Sequence, residues 1–211
     1  MDSDKVFPAT AMPDSEWWRA LWPDPEGVLR ALGIEPGMSV LDLCCGPGYF
    51  TAPLARIVEG RVFALDIDPA MLDQARAEVA RQGASVAQWI HGDARDLATL
   101  LTDRVDFALI ANTFHGVPEQ TRLAHAVARV LKPCGRFAIV NWHRIPRERT
   151  TVLGKPRGPK TEMRMTPEDV GKLVEPAGFQ LASVVELPPY HYGAIFQKRP
   201  GKDLSDAGKP N

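Results

Sequence analysis

The stretch Leu41-Asp42-Leu43-Cys44-Cys45-Gly46-Pro47-Gly48-Tyr49-Phe50-Thr51 holds the residues whose types and spacing point most directly to chemistry. Gly46 and Gly48 let the backbone approach a ligand closely, and a helix N-terminus follows them. A dinucleotide fingerprint would put a third glycine at position 51, where Thr51 stands. Asp42, just ahead of the loop, would repel a pyrophosphate and suits a nearby positive charge, such as an ammonium or a sulfonium. Asp66 ends the next strand, 20 residues after Gly46, where a carboxylate can accept both hydroxyls of a ribose. These features together predict a nucleoside with a cationic tail.

The remaining reactive residue types are scattered. Cys44 and Cys45 are adjacent and Cys134 is remote, which suits small packing residues and neither a structural disulfide nor a zinc site. None of the five histidines has metal-ligand spacing to another His, Cys or Asp. His115 follows the fourth strand and is a candidate general base or a polar pocket wall. His143 follows the fifth strand and is placed at the pocket mouth. Trp17, Trp18 and Trp22 could close over a flat substrate or dock a cap helix onto the core. Pro189-Tyr190-His191-Tyr192 could line a pocket or start an aromatic strand. The segment from His143 to Met163 carries Arg144, Arg147, Arg149, Lys155, Arg157 and Lys160 against Glu148 and Glu162. A connection of about 20 residues is long for a loop without a role, and an anionic substrate or a lid would account for it.

Strands and helices must alternate to position these groups. The runs 39–43, 61–66, 86–91, 105–111 and 136–142 read as strands. Helical patterns follow at 51–58, after Asp68-Pro69, and after Pro118. Thr166-Pro167-Glu168-Asp169 is a helix start with capping-box spacing. Two final strands are expected at 179–187 and 191–197. Such alternation gives an α/β fold, a mostly parallel sheet with helices on both faces, with ligands at the strands' carboxyl ends. The expected division is a helical cap or arm over 1–35, a main domain over 36–198, and a disordered tail over 199–211.

At 211 residues, 45% hydrophobic and 24% charged, the chain is long enough for one core without staples. A formal net charge of −1 argues against a dedicated nucleic-acid binder. No apolar run reaches the roughly 18 residues of a membrane span. The start lacks a signal-peptide apolar region, so a cytoplasmic, reduced location is expected. The oligomeric state is not legible.

VLDLCCGPGYFT resembles the first motif of the class I S-adenosylmethionine-dependent methyltransferases. The likeness continues through ALDIDPAML (64–72), HGDARDL (91–97), DFALIANTFHGVP (106–118) and LKPCGRFAIVNW (131–142). It implies a Rossmann-like, mostly parallel seven-stranded sheet with an antiparallel last strand, and S-adenosyl-L-methionine as cofactor. It assigns Asp42, Cys44, Gly46 and Gly48 to the methionine end, Asp66 to the ribose and Ile67 to the adenine face. Asp93 and Ala94 would meet the adenine edge, and Asn112 would stand beside the methyl group. Cys44 departs from the pattern where glycine or another small residue is usual. Cys134 replaces the first of two glycines in its turn.

The sequence after the fourth strand, Asn112-Thr113-Phe114-His115, lacks the Asn/Asp-Pro-Pro-aromatic signature of nucleic-acid amino-methyltransferases and the paired glutamates of protein arginine methyltransferases. A small-molecule acceptor, anionic or aromatic, is therefore expected. Trp18, Phe114, His115, Trp142 and Tyr190 are its candidate contacts, and His115 and His143 the candidate catalytic groups. ANTFHGVP looks broadly like the ubiquinone/menaquinone-biosynthesis type, which fixes no substrate. A nicotinamide-dependent oxidoreductase and a non-catalytic cofactor-binding protein are the competing readings.

Overall fold

Three helix starts, behind Asp24, Asp68 and Thr166, fall where the capping residues place them. The computed structural model describes residues 15–200. The expected loose arm over the first dozen residues, and all but 199–200 of the expected tail, lie outside them. α1 (Ser15–Leu21) ends ahead of Pro23, and α2 (Pro25–Ala31) starts behind Asp24. The Asp24 carboxylate accepts the Gly27 N–H at 2.8 Å, a cap typically contributing about 1 kcal/mol.

The chain then alternates through β1 (Val40–Leu43), α3 (Thr51–Ile57), β2 (Val62–Asp66), α4 (Pro69–Arg81) and β3 (Gln88–His91). Asp68 caps α4 through the Ala70 N–H. Next come α5 (Leu97–Leu100), β4 (Val105–Ala111), α6 (Gln120–Val130) and β5 (Leu131–Trp142). A small antiparallel hairpin follows, β6 (Thr151–Val152) and β7 (Lys155–Pro156). α7 (Pro167–Val174) opens on a complete capping box between Thr166 and Asp169, as the spacing predicts. β8 (Phe179–Leu187) and β9 (His191–Lys198) end the described chain.

The main sheet has the order β3-β2-β1-β4-β5-β9-β8. β1 through β5 pair in parallel, and β9 runs antiparallel between β5 and β8. The order reverses between β1 and β4, which sets the switch point above Leu43 and Ala111. β1 is buried along its whole length, as a central parallel strand covered on both faces must be. One core layer unites Leu41, Leu43, Ile110, Phe114, Leu123, Val127, Phe137 and Phe179. The other unites Val40, Leu54, Phe107, Leu109 and Val140 with Trp17, Leu21, Trp22, Leu29 and Leu32 from the N-terminal helical region. Cap and sheet therefore share one core.

The segment from His143 to Met163 is not a plain loop. It forms two 3-10 turns, at Arg147–Arg149 and Thr161–Met163, around the β6–β7 hairpin. Arg164, 3% exposed, holds it together. Its guanidinium donates to the carbonyls of Pro159, Ile145 and Arg157 and to the Thr150 hydroxyl. It also lies over the Trp142 ring at 5.0 Å. Gly158 (φ 84°) lies so close to Trp142 that a Cβ there would fall 2.8 Å from the indole. The strap is thus pressed flat onto the end of β5.

Candidate functional site

A cavity of about 600 Å³ opens above the switch point. Its floor comes from the ends of three strands: Asp42, Cys44, Cys45 and Gly46 on and after β1, Ala111 to Thr113 and His115 at the end of β4 and after it, and Trp142 on β5. Its roof comes from α1, through Trp17 and Trp18, and from the strap, through Arg147, Arg157 to Lys160, and Met163. α1 packs against β6, so the two roof segments touch.

Asp42 is 2% exposed and accepts a 2.7 Å hydrogen bond from the Thr51 hydroxyl. Burial pushes its carboxyl up to about 7, Thr51 opposes the rise, and the Asp66 charge adds to it. A buried acid whose ionisation is this costly is primed for a cation placed beside it. Asp66 is also buried, and its carboxylate accepts the Gly46 N–H at 2.8 Å and the Asp68 N–H at 2.9 Å. Burial raises its pKa against those two bonds. The glycine loop is thus tied to the end of β2, and carboxylate lone pairs remain for a further donor.

Asn112 has φ 61°, a left-handed conformation that asparagine tolerates better than most residues. Both its amide atoms are buried without a protein partner. A donor and an acceptor left open on a cavity wall call for a polar ligand. An acid, a close-approach loop and an open carboxamide together fit a nucleoside with an amino-acid tail and a cationic sulfur.

The thiols of Cys44 and Cys45 are pushed far up by burial and by the neighbouring carboxylates. They are neutral packing groups, as their adjacency predicts. Cys44 sits at φ 55° and Cys134 at φ 59°, which explains why glycine would be at home in both places.

Other expected contacts lie elsewhere. Gly48 (φ 86°) does not face the cavity. A Cβ there would meet the Ala75 backbone at 2.8 Å, so this glycine serves the packing of the loop on α4. Ala94 is 5% exposed within the core. The Asp93 carboxylate is held by Arg95, which keeps its pKa below the usual range despite partial burial. Ile67 is an exposed apolar side chain beside Asp66. Gly48, Asp66, Ile67, Asp93 and Ala94 all stand outside the cavity lining.

Phe114 corrects an expectation more sharply. It is 0% exposed and belongs to the core layer beneath the sheet end, so it is not a cavity wall. His143 pairs with Glu186 at 2.9 Å, away from the cavity lining. Tyr190 stands behind Trp142, stacked at 6.0 Å, with its hydroxyl accepting from the Thr151 N–H and donating to the Thr151 carbonyl. His115, Trp18 and Trp142 do line the cavity. Burial lowers the His115 pKa, a nearby Asn141 opposes this, and Arg164 adds to it, so the imidazole is neutral at pH 7. Trp17, Arg157 and Lys160 also reach the cavity. The sequence shows them only as part of an aromatic pair and a charge run.

A family model described as "Methyltransferase domain" matches residues 40–135. A solved S-adenosylmethionine-dependent methyltransferase from Aquifex aeolicus superposes with a TM-score of 0.73 at 27% identity, covering 88% of this chain and 94% of that one. The fold and the motif order are those of a class I S-adenosylmethionine-dependent methyltransferase. Among curated proteins, 2-phytyl-1,4-naphtoquinone methyltransferase of Synechococcus elongatus is 40% identical over 114 residues, 52% of this chain and 48% of that protein. Demethylmenaquinone methyltransferase of Lactococcus lactis subsp. lactis is 28% identical over 141 residues, 66% of this chain and 53% of that protein. The chain thus spans about half the length of these curated relatives. The family match covers the glycine loop and the sheet centre. No described helix is long and apolar enough to cross a membrane.

Proposed function

We propose that this class I methyltransferase transfers a methyl group from S-adenosylmethionine to a small molecule held under the aromatic roof. The observation that carries this reading is a cavity in which a buried acid and a glycine loop share walls with Trp17, Trp18 and Trp142. When bound, the cofactor supplies a methyl group on a cationic sulfur, and the bonding electron pair stays with the sulfur as the acceptor's lone pair forms the new bond.

The chain's own residues then have positioning roles. Asp42 offers negative charge to the cationic tail. Gly46 leaves room for it, and Cys44 packs beside it. Asp66 receives the ribose hydroxyls, with Ile67 against the adenine face and Asp93 near its edge. Asn112 supplies an amide at the junction of cofactor and acceptor. His115, neutral at pH 7, can take a proton at its imidazole from an acceptor hydroxyl or acidic carbon. The roof covers part of the reacting pair. A cavity of about 600 Å³ between floor and roof supports a small acceptor over a polymer.

Two measurements test the proposal. Calorimetry should show S-adenosylmethionine binding to the full chain, with Asp66→Ala removing measurable affinity; equal affinity in the variant refutes the assignment of the ribose carboxylate. Incubation with methyl-labelled cofactor and fractionated cell extract should place label in the small-molecule fraction. Label confined to protein or RNA overturns the acceptor class. Binding of NADH in place of S-adenosylmethionine would favour the oxidoreductase instead.

A further inference from the structure

The charge on the cavity wall is divided. Its acid, Asp42, lies on the floor, whereas the roof contributes three cations, Arg147, Arg157 and Lys160. None of the three has a carboxylate within ion-pair distance among the described residues. Arg164, next to them, is fully engaged in holding the strap. Arg147 donates its Nε to the Gly158 carbonyl at 3.0 Å. Arg157 is different. Its backbone is tied down, with the N–H on the Thr150 carbonyl and the carbonyl receiving Thr150 and Arg164. Its Nε is buried with no partner. The Trp18 indole N–H is likewise buried and unpartnered. Two buried donors on one cavity wall, one permanently cationic, leave a cost that an anionic acceptor atom would remove.

The same wall is aromatic. Trp18 stacks on Tyr49 at 5.6 Å, and Trp17 meets Trp142 at 6.4 Å. Trp17 and Trp142 are almost fully covered, Trp142 by Tyr190 and the Arg164 guanidinium, so the half-buried Trp18 is the indole that presents surface to a flat ring.

We propose that Arg157 is the anion-binding end of an acceptor subsite, and that the acceptor is an aromatic acid whose ring lies against Trp18. The proposal rests on the methyltransferase reading only for the word acceptor; the subsite itself is a property of the roof. The Arg157 backbone is held by Thr150 and Arg164, and its side chain lines the same cavity as Asn112 and His115. Lys160 adds long-range attraction.

Full-length protein saturated with S-adenosylhomocysteine is titrated calorimetrically with 2-naphthoate and with its neutral isostere 2-naphthamide. Naphthoate should bind at least about tenfold more tightly, the usual advantage of a charge-assisted bond over a neutral one. Arg157→Gln should weaken naphthoate roughly ten- to a hundredfold while leaving naphthamide and S-adenosylhomocysteine within about twofold. The Arg157 side chain makes no hydrogen bond or ion pair that holds the fold, so the variant should melt with the parent. Lys160→Gln, on an exposed residue, should cost naphthoate a few-fold and leave naphthamide unchanged. Equal binding of the two probes, or naphthoate binding indifferent to Arg157→Gln, overturns the subsite. Discrimination that persists when S-adenosylhomocysteine fails to bind supports the subsite and sinks the methyltransferase reading. Binding of S-adenosylhomocysteine without discrimination does the reverse.

Discussion

Replacing Asp42 by Asn should weaken the cofactor and strengthen the fold at once. The carboxyl, 2% exposed, titrates at about 7 in the cofactor-free protein. A cationic ligand binds the ionised form, so wild-type affinity should rise with pH. With a free-site pKa of about 7, observed dissociation constants should differ about tenfold between pH 6 and pH 8, and change little above pH 8. The ligand's own amine titrates identically with both proteins. The ratio of variant to wild-type dissociation constants therefore isolates Asp42, and it should grow about tenfold over that interval.

Stability responds in the opposite sense. The folded pKa lies above the unfolded value of 3.8, so the native state holds the extra proton between them. Wild-type stability falls as pH rises from about 4 to about 7 and is level beyond. The full penalty is about 4 kcal/mol at pH 8, because each tenfold change in proton affinity is worth roughly 1.4 kcal/mol. Asn removes it but leaves a buried N–H unpaired, at about 1–3 kcal/mol. The variant should thus gain about 1–3 kcal/mol at pH 8, several degrees in melting temperature for a chain this size. At pH 4 the charge penalty is down to about 0.6 kcal/mol, so the variant should there be the less stable protein. Isothermal calorimetry at three pH values and thermal melts of the ligand-free proteins read both effects. A pH-independent affinity ratio, or a variant that melts lower at pH 8, would refute the reasoning.

Arg164→Met removes the guanidinium bonds to three strap carbonyls and one hydroxyl, leaving the carbonyls of Ile145 and Pro159 without that donor; a loss of about 3 kcal/mol, or roughly 6–12 °C, is expected in thermal melts. Trypsin should then cut between residues 144 and 160 sooner than in wild type. Gly158→Ala should cost at least about 1–2 kcal/mol from the left-handed backbone alone, and more from the Trp142 contact. Gly154→Ala, at φ 73° with open space around it, should show only the backbone part, so equal melting shifts would remove the contact from the account. For an acceptor that must lose a proton, His115→Ala should lower kcat about 10²- to 10⁴-fold. The acidic limb of the wild-type rate profile should fall below pH 6.5, where burial places the imidazole; an unchanged limb in the variant makes His115 a wall only.

The elements with local signals are legible from sequence. Asp24-Pro25, Asp68-Pro69 and the Thr166/Asp169 box mark their helices because a cap is a contact between residues two or three apart. β1 and β4 read as buried strands because apolar runs leave no other home. The site is legible where a residue type is forced by its neighbour in the chain, as at Asp42 and Gly46. It is not where a distant element decides. The loop spacing places Gly48 at a ligand, yet Ala75 is what it approaches. Phe114 lies on a single turn between Thr113 and Val117, too short to show a period, and the core around α6 claims it. The basic strap is visible as composition, but its shape depends on Arg164, one residue past the segment's end. A buried arginine beside a capping box carries no pattern that sets it apart from a surface one.

Floor and roof have different ancestors in the chain. Everything beneath the cavity hangs from strand ends whose register is fixed by the sheet, so a shift there would propagate through β1, β4 and β5 together. The two overhead pieces, α1 and the strap, join no strand of that sheet. They are anchored largely by side chains: tryptophans on one hand, and on the other Arg164 with help from Arg147, Thr150 and Tyr190. Substitutions in the roof therefore leave the register of the strand ends beneath it untouched. The scaffold that carries the family motifs and the cover above it come from separate stretches of the chain and meet in one shared core.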